Sequence, residues 1–350
     1  MAKRLPAVDY NRAVDHNRKT EASGDAHPLS YGGPHKPQRI LVTGASGLLG
    51  VNLALEASRE NSEGSAVEYN RHVYGLVNDN RLSTDRFTVI QGDLLAPGTV
   101  ERLLDEIQPD WVIHCAALAN LDACEADPAR AQQLNSEVPR QLAYYVARSG
   151  ARLLHVSTDA VFDGKRGEYT EKDTPNPVGV YSRTKLEGEQ AVLEADPGAV
   201  VARVNLFGYS LTGKRSLGEF FLYNLLTGKP VMGFTDVIFC PLLANDLAAI
   251  FLNMLESGLS GLYHVVSSEC LSKFEFGLRI AHRFGLHENL IQPTSVSQAG
   301  LKAARAPILS LRTEKLTHAL GAPTPTVDAG IERFYQLYQE GYPRYLRSLL

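Results

Sequence analysis

The sequence predicts a doubly wound α/β fold, in which helices cover both faces of a parallel sheet, with a smaller lobe built from the C-terminal part. Three observations predict it. Short runs that are apolar throughout alternate with helical segments of about ten residues or more, a pattern typical of a parallel sheet buried on both faces. A glycine-rich turn directly follows the first apolar run. The regular alternation fades beyond Gly208, where we expect the second lobe to begin.

The predicted elements follow one another in a regular order along the chain. Apolar runs predict strands over residues 39–44, 72–77, 87–93, 111–117, 151–158 and 199–207. Helical spacing predicts helices over residues 48–58, 99–107 and 127–149. Pro139 is expected to kink the last of these, because proline cannot donate the helical hydrogen bond. After the helix that carries Tyr181, shorter helices are expected over 216–227, 245–256, 273–284 and 328–340.

Composition and charge exclude several classes of function. The hydrophobic fraction is 44%, the charged fraction 21% and the formal net charge −4, which together indicate an ordinary globular protein. The chain lacks the basic stripe of a nucleic-acid-binding protein. It also has no apolar run that approaches the ~20 residues of a membrane helix. We therefore expect neither nucleic acid nor a membrane as a partner.

The cysteines give no sign of a cross-linked or metal-binding framework. Cys115, Cys124, Cys240 and Cys270 are scattered, with no Cys-x-x-Cys pair. Neither a disulfide framework nor a zinc site is expected from this spacing, and we predict no other bound metal. The N-terminus lacks the apolar core of a secretory signal. We therefore expect a reducing compartment, the cytoplasm.

A glycine triplet, GASGLLG, joins the first predicted strand to the first helix. Gly44, Gly47 and Gly50 have the spacing G-x-x-G-x-x-G. The first permits a tight turn, the second lets the backbone approach a pyrophosphate, and the third lets the helix pack close to the strand. The helix N-terminus offers free N–H groups to phosphates. Turn chemistry alone also explains a glycine triplet, but the position after a buried strand favours dinucleotide binding.

These observations divide the chain into three predicted parts. Residues 1–38 are polar, rich in Pro, Gly, Asn and His, and predict a disordered tail; the alternative is a docking arm for a partner. Residues 39–210 are predicted to form an NAD(P)-binding Rossmann domain. Residues 211–350 are predicted to form mainly a substrate-binding lobe, from which some segments return to the Rossmann sheet.

The ends of the second and third strands are expected to meet the adenosine half of the cofactor. The second strand ends in VNDNR, which contains Asn78, Asp79 and Arg81. An acidic side chain favours the 2′-hydroxyl of NAD and an arginine favours the 2′-phosphate of NADP, so both cofactors stay open. Asp93 is a candidate for the adenine edge. Its alternative role is the N-cap of a helix over residues 97–107.

The segment YSRTK contains a candidate proton-transfer pair. Tyr181 and Lys185 are four residues apart and share one face of a helix. The strand 151–158 ends in Thr158, at the sheet edge where open α/β folds carry their chemistry. An ammonium near a phenol lowers the tyrosine pKa towards neutrality, as a general acid requires. The alternative is a packed tyrosine, a solvated lysine and a threonine that merely ends a strand. The glycine loop upstream favours catalysis.

Several segments together resemble the extended short-chain dehydrogenase/reductases, and within them the dTDP-4-dehydrorhamnose reductase group. The resemblance covers roughly residues 39–340. The segments that carry it are GASGLLG (44–50), HCAALANLDACEADP (114–128), STDAVFDG (157–164), GEYTEKDTPNPVGVYSRTKLEGE (167–189) and RAPILSLRTEKL (305–316).

This resemblance implies a nucleotide-sugar reductase that takes a hydride from NADPH or NADH. It implies a catalytic triad of Thr158, Tyr181 and Lys185, with Lys185 also on the nicotinamide ribose and Asn135 ordering a relay water. It further implies a homodimer. Sugar-binding roles are assigned by the resemblance to Arg203, Asn205 and Arg305. The positions predicted to contact the cofactor are Gly44, Ser46, Gly47, Leu48, Gly50, Asn78, Arg81, Asp93, Leu94, Ala116, Ala117, Tyr181 and Lys185.

Two departures from the group leave alternatives open. Ala160 stands where the group usually has a tyrosine, and the segment RVNLFG (203–208) lacks the group's usual tryptophan. Another sugar or nucleotide is therefore an alternative. An epimerase or dehydratase is a second one, because Asp159 follows Thr158, although Ala160 replaces the glutamate usual in dehydratases. A third is a non-catalytic subunit, since the β subunit of methionine adenosyltransferase resembles the same group.

Overall fold

The computed structural model describes residues 37–59, 70–298 and 306–350. Its strands are β1 (Gln38–Thr43), β2 (Arg71–Val77), β3 (Thr88–Gln91), β4 (Trp111–His114), β5 (Arg152–Thr158), β6 (Val200–Val204), β7 (Leu206–Phe207), β8 (Val231–Phe234), β9 (Ile238–Phe239), β10 (Leu242–Leu243), β11 (Gly261–Val265), β12 (Leu271–Ser272), β13 (Ile291–Thr294) and β14 (Ile308–Leu309). Its α-helices are α1 (Leu48–Ala57), α2 (Thr99–Ile107), α3 (Leu121–Ala126), α4 (Pro128–Gln132), α5 (Val138–Ser149), α6 (Val180–Ala195), α7 (Leu217–Leu226), α8 (Ala244–Glu256), α9 (Lys273–Phe284), α10 (Glu314–Leu320), α11 (Val327–Gln339) and α12 (Tyr342–Ser348).

A seven-stranded parallel sheet forms the centre of the molecule. Its order is β11-β6-β5-β4-β1-β2-β3, and every neighbouring pair is parallel. One face packs on α2, α5 and α6, and the other packs on α1 and α8. The predicted doubly wound Rossmann fold is therefore confirmed. The edge strand β11 comes from the C-terminal part of the chain and pairs with β6.

The smaller C-terminal lobe is built from short strands and helices. Strands β8 and β13 pair, as do β7 and β10, and β9 lies between β12 and β14. Aromatic side chains fill its interior: Phe276 and Phe334 both pack edge-on against Phe207. This interior is continuous with the core on the α1 and α8 face of the sheet.

Most predicted elements lie within a residue or two of the observed ones, but three differ. The strand predicted over 111–117 ends at His114, because Ala116 turns to donate its N–H to Oγ1 of Thr43 (3.3 Å). The strand predicted over 199–207 is broken at Asn205, whose carbonyl accepts from the N–H of Leu242 (2.9 Å). The helix predicted over 127–149 is interrupted by a π-helical turn, Gln133–Glu137.

The π-helical turn brings α6 close to the end of β4. In a regular helix Pro139 would bond to the carbonyl of Asn135, but proline has no N–H to donate. That carbonyl instead faces Gly188 of α6, where a Cβ would lie only 2.2 Å from it. The Asn135 side chain bonds to the backbone N–H of Leu118 (2.8 Å) and to Oγ1 of Thr184 (3.1 Å). One residue thus ties the connection after β4 to α6.

The cysteines require a correction. Cys240 and Cys270 form a disulfide, with a Cα–Cα distance of 4.1 Å, so the expectation that no disulfide is present was wrong for this pair. The reason lies in tertiary register. Strands β9 and β12 are antiparallel, with Phe239 opposite Leu271, which places the two cysteines opposite each other one step further along. Cys115 and Cys124 are free.

Two further expectations concern parts that are only partly described. Nearly all of the predicted tail, residues 1–36, lies outside the described residues, and the three-part division of the chain stays a prediction. Within the described ranges no helix is long and apolar enough to cross a bilayer. The same ranges contain no group of three or more His, Cys, Asp or Glu side chains arranged to hold a metal.

The approach of α6 to the π-helical turn leads to a stability prediction. Gly188→Ala should lower the free energy of unfolding by about 1–3 kcal/mol, because the methyl group overlaps a backbone oxygen. This is the net change, because the steric overlap should cost more than the gain of about 1 kcal/mol in helix propensity. Gln190→Ala, on the exposed side of the same helix, is the control. Denaturant unfolding of both variants measures the difference, and equal stabilities would contradict the close contact.

Candidate active site

The glycine loop between β1 and α1 leaves no room for side chains. Gly44 has a φ of +67°, and a Cβ there would lie 2.8 Å from Cα of Ala116. A Cβ at Gly50 would lie 2.2 Å from the carbonyl oxygen of Gly44. Gly47 is the N-cap of α1, which begins at Leu48, and among the described residues no side chain caps this helix end. The open helix N-terminus and the tight loop fit the pyrophosphate of a dinucleotide.

The segment after β2 folds against this loop. The side-chain amide of Asn80 donates to Oγ of Ser46 (3.1 Å), and the carbonyl of Asn78 accepts from the Gln91 side chain (3.2 Å). Arg81 is exposed in the same segment. Asn80 was missed in the sequence reasoning. Its only signal is its position just beyond the end of a strand.

The end of β3 gives a second correction. Asp93 is exposed, and its carboxylate accepts from the N–H of Leu95 (2.9 Å), which closes a local turn. The alternative role as a helix N-cap is wrong, because α2 begins later and has Gly98 as its N-cap. Leu94 is buried in the core beneath the sheet. Ala116 and Ala117 follow β4, and both are half-buried.

The three candidate catalytic residues lie at the C-terminal edge of the sheet. Thr158 ends β5 and is buried. Tyr181 and Lys185 lie one turn apart on α6; Tyr181 is half-buried beside Cys124. The Thr158 side chain lies close enough to the Tyr181 phenol to affect its pKa. The structure thus brings the hydroxyl and the phenol together.

The electrostatics of Tyr181 differ from the prediction. Burial raises its pKa to about 12, the nearby Thr158 side chain opposes the rise, and the charge of Asp159 adds to it. The expected lowering towards neutrality is absent from this arrangement. The reason is that Nζ of Lys185 donates to the carbonyl oxygen of Val156 (2.6 Å). The ammonium is thus directed at β5.

Lys185 is itself strongly perturbed. It is 2% exposed, so the alternative of a solvated lysine is wrong. Burial lowers its pKa to about 8, and the charge of Glu189 opposes this. A lysine in this state can carry or release a proton near neutral pH.

A buried carboxyl group marks the junction of the two lobes. Asp159 accepts hydrogen bonds from the hydroxyl of Thr158 (3.1 Å) and the amide of Asn205 (2.6 Å). Burial raises its pKa to about 6, although both hydrogen bonds and the charge of Lys273 lower it. Asn205 follows β6 and Lys273 begins α9, so groups from both lobes converge on this carboxyl. Asn205 therefore lies beside Thr158 and Asp159, and its role in substrate binding stays a prediction.

Arg203 is placed differently from Asn205. Its guanidinium forms a buried ion pair with Glu189 of α6 (2.7 Å), and both side chains are 3% exposed. Ser157 also donates to the Glu189 carboxylate (2.5 Å). This placement assigns Arg203 to the support of α6 instead of to substrate binding. The third substrate candidate, Arg305, lies outside the described residues.

Comparison with known proteins identifies the family. The family described as "RmlD substrate binding domain" matches residues 38–340. The chain belongs to this family. A probable low-salt glycan biosynthesis reductase of Haloferax volcanii is 34% identical over 292 residues, which cover 82% of this chain and 94% of the relative. The dTDP-4-dehydrorhamnose reductase of Mycobacterium tuberculosis is 32% identical and covers 83% and 89%.

Two further similar proteins bear on the choice of function. Methionine adenosyltransferase 2 subunit beta of Rattus norvegicus is 32% identical, over 82% of this chain and 84% of the relative. The crystal structure of dTDP-4-dehydrorhamnose reductase from Bacillus anthracis in complex with NADP matches with a TM-score of 0.72 and 25% identity, over 86% of this chain and 99% of that one. The resemblance to the dTDP-4-dehydrorhamnose reductase group of the extended short-chain fold is therefore confirmed.

The buried carboxyl at the lobe junction leads to a prediction about pH. The pKa of Asp159 is raised from its usual 3.8 to about 6, so folding favours its protonated form. Its contribution to stability is complete below about pH 4 and is lost as the pH rises through about 6. Asp159→Asn removes this dependence. From about pH 4 to about pH 7, wild type should lose up to about 3 kcal/mol of stability relative to the variant. Denaturant unfolding at both pH values checks this, and parallel pH profiles would contradict it.

Proposed function

We propose that this chain is an NAD(P)H-dependent reductase of a nucleotide-linked 4-keto-deoxysugar, similar to the dTDP-4-dehydrorhamnose reductases. One observation carries the proposal: Thr158 ends β5 beside the phenol of Tyr181 at the C-terminal edge of the sheet, with Lys185 one turn further along α6. Membership of the family supports the same class of reaction.

Residues 39–210 are proposed to hold the cofactor, NADPH or NADH. When bound, the cofactor supplies a hydride for the carbonyl carbon. The glycine loop and the start of α1 would bind the pyrophosphate. The segment Asn78–Arg81 would lie at the adenosine ribose, Asp93 and Leu94 at the adenine, and Ala116, Ala117 and Lys185 towards the nicotinamide end.

The side chains at the end of β5 and on α6 would manage the proton. Tyr181 donates its phenolic proton to the carbonyl oxygen as that oxygen becomes an alcohol. The Thr158 hydroxyl, which donates to Asp159 in this structure, would turn its single hydrogen to the same oxygen and hold that oxygen in place. The raised pKa keeps the phenol protonated until that moment. The charge of Lys185, whose Nζ is bonded to the Val156 carbonyl and not to the phenol in this structure, would then stabilise the phenolate that remains.

The substrate is proposed to lie where the lobes meet, between Asn205 and residues 211–350. Ala160 gives this side of the site a smaller residue than the tyrosine usual in the group. The proposal therefore specifies a nucleotide-linked 4-keto sugar and leaves the hexose itself to experiment. The homodimer implied by the resemblance stays a prediction.

Loss of the phenol tests this proposal directly. Tyr181→Phe should lower turnover by about a hundredfold or more, the loss typical of a missing general acid, while the affinity for the cofactor stays nearly unchanged. Turnover is followed as NADPH or NADH oxidation with an enzymatically generated dTDP-4-keto-6-deoxyhexose. Tyr144→Phe, at an exposed position on α5, is the matched control. Near-normal turnover of Tyr181→Phe would end the catalytic assignment.

A second candidate function is regulatory. The similarity to methionine adenosyltransferase 2 subunit beta favours it. In that case residues 1–38 are the segment that would dock on a partner enzyme. Deletion of residues 1–38 separates the two candidates. A reductase should keep its turnover, whereas a docking subunit should lose affinity for methionine adenosyltransferase in a pull-down or calorimetric titration. Unchanged binding after the deletion would exclude docking through the tail.

A further inference from the structure

A row of polar side chains crosses the middle of the sheet. Thr43 of β1 is the register partner of His114 of β4, which is the register partner of His155 of β5. The row one step below is apolar and consists of Leu41, Val112 and Leu153. Side chains two residues apart on a strand share a face, and these apolar residues pack on α5 and α6. The polar row therefore lies under α6.

The two histidines of this row are stacked and sealed from solvent. Their ring centroids are 5.3 Å apart, and their exposed fractions are 1% for His114 and 0% for His155. Nδ1 of His114 bonds to Oγ1 of Thr43 (2.7 Å). Nε2 of His114 and Nδ1 of His155 are buried without a hydrogen-bond partner among the described residues. Buried polar atoms seldom lack a partner, so this pair calls for a functional explanation.

The free side of the pair meets the lysine of the active site. Nε2 of His155 lies 3.3 Å from Nζ of Lys185. An ammonium has donors only, so Nε2 must be the unprotonated acceptor and Nδ1 must carry the hydrogen. Burial, and then the charge of Lys185, lower the pKa of His155 well below its usual value. The imidazole of His155 is thus neutral, with its hydrogen on Nδ1, and its Nε2 accepts the hydrogen bond from Lys185.

We propose that His155 is a positioning residue for the catalytic lysine: its neutral imidazole accepts a hydrogen bond from Nζ of Lys185 and, with the carbonyl oxygen of Val156, holds the ammonium against β5. His114 supports the ring from the neighbouring strand. This inference rests on the proposed function, because the position of Lys185 matters to catalysis only in a reductase.

The hydrogen bond also sets the charge of the lysine. A bond to the charged form favours that form, so His155 counteracts the burial that lowers the pKa of Lys185 to about 8. The other groups that face Lys185 are Glu189 of α6, which is paired with Arg203 of β6, and His114 and Cys115 of the β4 end.

The histidine and the cysteine at the β4 end stay uncharged around neutral pH. Burial, and then the charge of Lys185, lower the pKa of His114 to about 3. Burial raises the pKa of Cys115 to about 12. A change in the proton affinity of Lys185 can therefore be followed between these limits without interference from its β4 neighbours.

The test compares His155→Phe with His155→Gln. Phenylalanine keeps a ring without an acceptor, whereas the Oε1 atom of glutamine can accept at about the reach of Nε2. In the full chain without cofactor, the pKa of Lys185 is read from the carbon shifts of selectively labelled lysine, and Lys185→Arg identifies the signal. His155→Phe should lower this pKa by about one unit, and His155→Gln should leave it within about 0.3 units.

Activity gives the second readout. In His155→Phe the alkaline limb of the pH profile of kcat should move to lower pH by about one unit, as the lysine pKa does. KM for the nucleotide sugar should change less. An unchanged lysine pKa in His155→Phe, or equal shifts in both variants, overturns the proposal. The lysine signal answers the question even if no sugar is reduced, so failure of the reductase assignment stays distinguishable. His155→Leu replaces the phenylalanine variant if circular dichroism shows that it does not fold.

Discussion

The burial of charged side chains on α6 is the constraint on which the rest of the site depends. Lys185 and Glu189 lie on the side of this helix that faces the sheet, and both are almost completely buried. A buried charge is tolerated only where it is paired and hydrogen-bonded. Strands β5 and β6 supply the partners: the Val156 carbonyl and His155 for the lysine, and Ser157 and Arg203 for the glutamate. Under α6 the sheet is therefore polar towards the carboxyl ends of its strands and apolar further from them. The charged groups of α6 find their hydrogen-bond and ion-pair partners only at that polar end.

The backbone around α6 is adapted to this position. Gly188 lets the helix approach the π-helical turn, and Asn135 in that turn binds both Leu118 and Thr184. The N–H of Val180 at the start of α6 donates a hydrogen bond to the carboxylate of Glu125 (2.8 Å). A negative charge there is favourable, because the N-terminus of a helix carries a partial positive charge. The phenol of Tyr181 thus meets Thr158 through rigid elements. Such support from regular structure holds a reacting group more firmly than a loop can.

The fold and the location of the site could be predicted from the sequence because both depend on local pattern. Apolar runs located six of the seven strands of the main sheet, all but β11, and the glycine spacing located the turn after β1. The directions of side chains could not be predicted, since they depend on register between distant segments. Arg203 looked like a substrate ligand until β6 placed it opposite Ser157. Cys240 and Cys270 looked unrelated until β9 met β12. The pKa of Tyr181 was predicted in the wrong direction, because sequence spacing showed its neighbour on the helix but not the burial of the phenol or the carbonyl that receives the lysine.

The late position of β11 in the chain has a consequence for folding. Strand β6 stays an open edge of the sheet until residues 261–265 have been synthesised, and exposed strand edges invite pairing with other chains. A contact between still more distant segments joins α12 to α1, where the hydroxyl of Tyr342 donates to Oδ1 of Asn52 (2.8 Å). Contacts between such distant segments slow folding. The seven-stranded sheet is therefore complete only once residues 261–265 can pair with β6, well after the residues of the active-site edge on β5 and α6 have been synthesised.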